Sequence, residues 1–227
     1  MKPEWCQVDD RKMKILVIDV GGTHIKCLCT GQKQPRKFSS GPRLTAKRMV
    51  EKVLQITRGW KFDRVSVGYP GPLLHGRPVR EPHNLGPGWV GFDFQKAFGC
   101  PVKLVNDAAM QALGSYRGGR MLFLGLGTGL GSALIIDGVV EAMELAHLPY
   151  KKGRTYEDYL GERGLKRLGE KKWRKKVREV VARLRAAFEP EYVVVGGGNA
   201  SKLKTLLPKT RAVDNSRAFI GGFRLWE

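Results

Sequence analysis

The stretch Ile15–Lys26, ILVIDVGGTHIK, decides the reading of the whole chain. Its apolar run Ile15-Leu16-Val17-Ile18 predicts a short buried strand. The run ends in Asp19; Gly21-Gly22-Thr23 follow, and then apolar and β-branched residues resume. Lys14–Thr30 therefore reads as a hairpin with the glycine pair at its turn. A carboxylate at a strand end can hold hydrated Mg2+, an ion that prefers oxygen ligands and keeps its waters. The two glycines let backbone N–H groups approach an anion, and the Thr23 hydroxyl adds a donor. The same residues also suit a plain strand, turn and strand.

About a hundred residues later the pattern returns. Met121–Leu124 reads as a strand, Gly125–Gly131 (GLGTGLG) as a glycine turn, Ser132–Ile136 as a strand, and Asp137-Gly138 as a tight turn. On paper the glycines resemble a dinucleotide fingerprint, but a strand follows them where that motif requires a helix. Two Gly-Thr turns on separate hairpins suggest two halves facing one phosphate chain.

Outward from these turns, Thr45–Thr57 carries Met49, Val50, Val53, Leu54 and Ile56 at helical spacing, with Thr45 as N-cap. Arg64–Gly68 is a strand running into Tyr69-Pro70-Gly71-Pro72, and Leu73–Val90 is a Gly- and Pro-rich loop. Val102–Val105 is a strand ending in Asn106-Asp107, before a helix over Ala108–Leu113. Asp107 would sit over the crevice of an α/β sheet, or would simply cap the helix. Glu141–His147 leads into an irregular loop over Leu148–Thr155, and Tyr156–Leu168 and Lys172–Phe188 have helical patterns. Tyr192–Val195 is a buried strand running into Gly196-Gly197-Gly198-Asn199. That triplet lets backbone lie against a ligand, or makes a tight connection. Arg217–Trp226 is a closing helix weakened by Gly221-Gly222.

Composition narrows the class. The length, 227 residues, suits one large or two modest domains, and 42% hydrophobic residues can build a core. No run approaches the ~20 apolar residues of a membrane span. The first residues lack the apolar segment of a secretory signal, so a cytoplasmic protein is expected, with residues 1–12 a polar arm. The four cysteines show no paired CxxC spacing, so free thiols and no structural zinc are expected. The net charge of +20 points to a polyanionic partner, unless the surface is merely basic and solvated.

Taken in order, the segments DVGGT, GYPGP, EPHNLGPGW, VNDA, GLGTGLGSALIIDG, ELAH, TYEDYLG and VVVGGGN resemble the ROK (repressor, ORF, kinase) sugar kinases, and among them the polyphosphate glucokinases. The resemblance runs from about Lys14 to Glu227. It implies an α/β, actin-like ATPase (ribonuclease H-like) fold of two α/β domains with a cleft between them. The smaller would span residues 1–112, joined by 214–227, and the larger 113–213. It implies phosphoryl transfer to the 6-hydroxyl of glucose, with Asp107 as general base. Asp19 would act near Mg2+; Gly21, Gly22, Thr23, Gly127, Thr128 and Gly129 would hold donor phosphates. Gly197 and Gly198 match the segment that meets a nucleotide in ATP-using members. Asn84, Asn106, Glu144, His147 and Glu157, with Asp107, match the sugar-binding set. Carboxylates, amides and a neutral imidazole suit hydroxyls that both donate and accept. Taken singly, His147 also suits a structural histidine and Glu157 a solvated helix residue.

Two departures stand out. The usual Gly before that His is Ala146 here, and Lys151-Lys152-Gly153-Arg154 replaces the cysteine-rich zinc motif of many members, as in polyphosphate glucokinases. The winged helix-turn-helix of ROK repressors is not expected here, since about a dozen residues, too few to form it, precede the first strand. Members are commonly dimers, which implies a homodimer.

Between Gly161 and Arg185 stand eleven Lys or Arg against three Glu. Inorganic polyphosphate would use such a basic track, with Lys171, Lys172 and Lys175 as candidate contacts; a solvated helix face is the plainer reading. The expected donor is polyphosphate, with ATP as a second candidate. An ATP-only ROK kinase for a hexose or amino sugar, a nucleic-acid-binding protein on a kinase scaffold, and a sugar-sensing module are the alternatives. The intact Asp19, Asp107, Glu144 and His147 set disfavours nucleic acid as the partner.

Overall fold

The computed structural model describes residues 13–227, and the predicted polar arm at residues 1–12 lies outside them. In chain order the strands of the first sheet are β1 (Ile15–Val20), β2 (His24–Cys29) and β3 (Arg36–Ser39), then β4 (Arg64–Tyr69) after helix α1 (Ala46–Ile56). The ribbon β5 (Leu73–Leu74)–β6 (Arg77–Pro78) and helix α2 (Phe94–Phe98) precede the last strand, β7 (Val102–Asn106). The sheet order is β3-β2-β1-β4-β7. Strands β1, β2 and β3 form an antiparallel meander, and β4 and β7 run parallel to β1. β1 is buried along its whole length, which is why its sequence is a continuous apolar run rather than an alternating one. α1 lays Met49, Val50 and Val53 on one face of the sheet, and the Thr45 hydroxyl accepts from the Arg48 amide (3.3 Å) at its N-terminus.

Helix α3 (Asp107–Ser115) leaves β7 and leads to the second sheet. Its strands are β8 (Arg120–Leu126), β9 (Leu130–Ile136) and β10 (Val139–Met143), followed by the ribbon β11 (Pro149–Lys151)–β12 (Arg154–Thr155) and helices α4 (Tyr156–Leu160) and α5 (Glu162–Phe188). β13 (Tyr192–Gly196), β14 (Thr210–Ala212) and helix α6 (Arg217–Arg224) complete the chain. The order β10-β9-β8-β13-β14 repeats the first sheet's winding: an antiparallel meander, then two parallel strands.

α3 belongs to both halves. Met110 packs with Ile15, Val17 and Phe219, while Ala108, Ala109 and Ala112 pack with Met121, Phe123 and Ile135. α6 returns across the first sheet. The Ser66 hydroxyl donates to the Gly222 carbonyl (2.6 Å), and the Trp226 indole donates to Ser66 Oγ (2.8 Å). α3 and α6 touch backbone to backbone: a Cβ at Gly114 would overlap the Arg217 carbonyl, and one at Gly221 that of Met110.

The fold departs from the sequence expectation at several elements. The helix predicted over Tyr156–Leu168 is broken at Gly161, where extended backbone (φ −69°, ψ 178°) ends α4 and begins α5. α5 then runs through to Phe188 but bends at Gly169, whose φ of +71° is a left-handed conformation that suits glycine. β3, α2 and β14 are short elements that the sequence pattern did not reveal, and the ribbons β5–β6 and β11–β12 stand where loops were expected over Leu73–Val90 and Leu148–Thr155. No described helix is long and apolar enough to cross a membrane.

Candidate active site

The carboxyl ends of β1, β4 and β7 carry Asp19, Gly68 and Asn106 side by side. In register, Asp19 faces Gly68 and Gly68 faces Val105. A Cβ at Gly68 would lie 3.5 Å from the Asp107 Cα, so the glycine lets the start of α3 close over the strand ends. Asn106, not Asp107, caps that helix. Its Oδ1 accepts from the Ala108 and Ala109 amides (3.0 and 3.2 Å), and its Nδ2 donates to the Gly71 carbonyl (3.2 Å). Among the described residues Asp107 accepts through Oδ1 from its neighbour Ala108 N (2.8 Å), which leaves Oδ2 for a ligand. Burial, then the carboxylates of Asp19 and Glu144, push the Asp107 carboxyl up to about 7. Asp19 is also raised by burial, and Lys26 opposes that rise from its register position across the hairpin, with Nζ 3.7 Å from Oδ2.

The first glycine turn closes through Gly21 N donating to the His24 carbonyl (3.1 Å) and the Ser40 hydroxyl donating to the Gly21 carbonyl (2.7 Å). Asn84 approaches it, since a Cβ at Gly22 would lie 3.5 Å from the Asn84 amide. The loop carrying Asn84 is pinned by the Glu81 carboxylate, which accepts from Trp89 N (3.0 Å), and by the fully buried Trp89 ring.

The second glycine turn joins β8 to β9, with Gly125 facing Gly131 in register. Here three segments converge. A Cβ at Gly129 would run into the Glu157 carboxylate, and Glu157 Oε2 accepts from Leu130 N (3.2 Å). The Glu162 amide, at the start of α5, donates to the Gly127 carbonyl (3.0 Å). Asn199 donates from its backbone to Leu126 O (2.9 Å) and from Nδ2 to Gly127 O (3.2 Å). Gly197 has φ +84° and lies so close to Leu126 that a Cβ would overlap its carbonyl, so the Gly196–Gly198 turn follows the backbone of the second glycine turn. Glu144 and His147 flank a single 3-10 turn, their side chains 3.5 Å apart and exposed. Ser132 ties that turn to β9, donating to the Met143 carbonyl (2.5 Å) and accepting from Leu145 N (3.3 Å).

The structure thus groups Asp19, Asp107 and Glu144, the pair Gly22–Asn84, and the set Gly127–Gly129, Glu157, Gly197. Lys171, Lys172 and Lys175 stand apart, exposed on α5 beyond the Gly169 bend. Among the described residues no acid lies within 4 Å of these three lysines, whereas Arg163, Lys166, Arg174, Lys176 and Arg183 of the same helix are all ion-paired. Lys26 and Asn199 were missed from sequence. The hairpin reading held the signal for Lys26: Asp19 and Lys26 are equidistant from its turn, which makes them cross-strand partners.

No group of three or more His, Cys, Asp or Glu able to hold a metal is found among the described residues. One carboxylate at Asp19 fits Mg2+ all the same, because that ion takes one or two carboxylates and completes its shell with water and substrate phosphates.

Two like-wound sheets about a shared helix, with glycine turns at the strand ends, define the actin-like ATPase fold, and known structures agree. The crystal structure of inorganic polyphosphate/ATP-glucomannokinase from Arthrobacter sp. strain KM matches with a TM-score of 0.79 at 25% identity, over 95% of this chain and 100% of that one. A ROK family glucokinase from Streptomyces griseus, in complex with glucose and AMPPNP, matches in fold with a TM-score of 0.74 at 19% identity, over 93% and 98%. The chain belongs to the ROK family, whose sequence model matches residues 15–142. Polyphosphate glucokinase of Mycobacterium tuberculosis (strain CDC 1551 / Oshkosh) is 31% identical over 220 residues, 84% of this chain and 80% of the relative. Glucokinase of Pyrobaculum calidifontis is 27% identical over 237 residues, 82% and 80% respectively.

Proposed function

We propose that this chain is a sugar kinase that transfers a phosphoryl group from inorganic polyphosphate, and also from ATP, to the 6-hydroxyl of glucose. The observation that carries the chemistry is the Asp107 carboxyl, pushed up to about 7 with one oxygen unengaged, beside Glu144 and Asp19. A base is most effective when its pKa lies near the working pH. Oδ2 of Asp107 takes the proton of the sugar hydroxyl as that oxygen attacks phosphorus. The bond from phosphorus to the rest of the donor breaks, and the shortened polyphosphate or ADP leaves. Asn84, Asn106, Glu144, His147 and Glu157 hold the sugar hydroxyls; Asn106 has one Nδ2 hydrogen to give, since the other goes to Gly71. The amides of Gly21, Gly22, Gly127 and Gly129 and the hydroxyls of Thr23 and Thr128 hold donor phosphates, where catalysis is mostly positioning and charge stabilisation. Asp19, together with the donor phosphates, would hold Mg2+, which would supply positive charge against the phosphoryl oxygens. Residues 1–112 with 214–227 close on 113–213 and exclude water, which would otherwise accept the phosphoryl group.

The polyphosphate reading is supported by the names of the M. tuberculosis and Arthrobacter relatives and by the +20 charge. Lys171, Lys172 and Lys175, with no acid beside them, are the proposed contacts for the polyanion. Use of ATP rests on Gly197 and Gly198, beside the phosphate turn. The same proposal places the enzyme in the cytoplasm as a homodimer with no nucleic-acid partner. Asp107→Asn tests the chemistry: turnover is expected to fall by about 10²–10⁴-fold with glucose binding retained. A variant that keeps most of its activity would remove Asp107 from the role.

A further inference from the structure

The ribbon β11–β12 reverses through Lys152 and Gly153, both left-handed (φ +52° and +66°), as a two-residue hairpin requires. Its outer strand lays Tyr150 against the rings of Tyr156 (5.2 Å) and Tyr159 (4.8 Å, edge-on), which belong to α4. The other contact is to α5. Glu179 accepts from Lys151 of the ribbon through Oε1 (2.6 Å), from Arg183 through the same oxygen (3.0 Å) and from Lys176 through Oε2 (3.0 Å). The same three cations surround the Tyr150 ring at 5.1–5.7 Å. The Tyr150 hydroxyl is buried beside them without a well-formed hydrogen bond. One carboxylate thus gathers three cations, and Lys151 is the one that comes from outside α5.

What the ribbon carries gives this cluster its interest. Tyr156 N donates to the Leu148 carbonyl (3.0 Å), closing the ribbon's base, so His147 and Glu157 emerge from the two ends of one loop. At the downstream end Thr155 and Asp158 form a reciprocal capping box that fixes the first turn of α4, where Glu157 stands.

We infer that Glu179 is a positioning residue: by drawing Lys151 onto α5 it seats the ribbon, and through the ribbon's two ends it sets His147 and Glu157 over the sugar. The inference rests on the proposed sugar-binding role of those two residues. Glu179 itself touches no substrate. Weakening one hydrogen bond to a sugar hydroxyl is enough to lower affinity about tenfold.

The test is steady-state kinetics with glucose varied at saturating donor, on the full chain, for Glu179→Gln, Lys151→Met, Lys151→Arg and Glu157→Gln, together with melting temperatures. Lys151 is only half-buried, so its replacement breaks the contact from the ribbon side if Glu179→Gln proves hard to fold. Glu179→Gln and Lys151→Met are expected to raise the glucose KM about tenfold while kcat stays within about twofold, and Lys151→Arg to keep the parent KM. The donor KM is expected to stay at the parent value. An unchanged glucose KM in Glu179→Gln and Lys151→Met, where Glu157→Gln does raise it, would overturn the inference. So would a fall in melting temperature with kcat and KM both degraded, which is the mark of an ordinary structural ion cluster. A parent KM in Glu157→Gln would instead overturn the underlying sugar-site reading.

Discussion

At the scale of single residues, Asp107 shows how one position satisfies two opposed demands. Asn106 takes over the capping of α3, so only one oxygen of the carboxylate beside it is held by the helix. Burial and two neighbouring acids then raise its pKa to about 7. Two consequences follow in opposite directions of pH. The base works when ionised, so kcat/KM for glucose is expected to rise with pH through about 7 and then level, a profile that a rate–pH series reads directly. For stability the sign is reversed. The unfolded carboxyl loses its proton near its ordinary 3.8 and the folded one only near 7, so the folded state loses stability as pH rises across that interval. Asp107→Asn is therefore expected to raise the melting temperature at pH 8 and to leave it unchanged below pH 3.8. Equal melting curves at pH 8 would show that the carboxylate carries no such strain.

At the scale of elements, α3 and α6 hold the two sheets' cores together through a close backbone crossing. Gly114→Ala or Gly221→Ala must push the helices apart, because the obstructing atoms are carbonyls rather than flexible side chains. A loss of about 1–3 kcal/mol is expected from denaturant titration. On α5, replacing Lys171, Lys172 and Lys175 together by Gln is expected to raise the KM for long-chain polyphosphate by tenfold or more and to flatten its salt dependence, with the KM for ATP little changed. Equal effects on both donors would deny the lysines a role specific to the polymer. The elements themselves were unevenly legible. β1, β8 and β13 are buried on both faces and announced themselves as apolar runs, and the glycine turns at their ends marked the site. β3 (RKFS) is a mostly exposed edge strand with no alternation to read, and β14 is three residues long. The break at Gly161 was hidden because the apolar spacing continues across it. The Lys151–Glu179 contact joins residues 28 apart and leaves no periodic trace.

For the whole molecule, family membership and charge address different questions. The repeated sheet winding and the ordered motifs specify the ROK fold, while the +20 charge bears on the partner. A single nucleotide does not need so strong a field; a linear polyanion does, and its binding releases counterions and weakens with salt. The most direct measurement is glucose 6-phosphate formation by the purified protein with Mg2+, comparing long-chain polyphosphate with ATP at low and high salt. Faster turnover with polyphosphate, falling steeply as salt rises while the slower ATP reaction changes little, is the expected result. Turnover with ATP alone, or with neither donor, would contradict the assignment of polyphosphate as the phosphoryl donor.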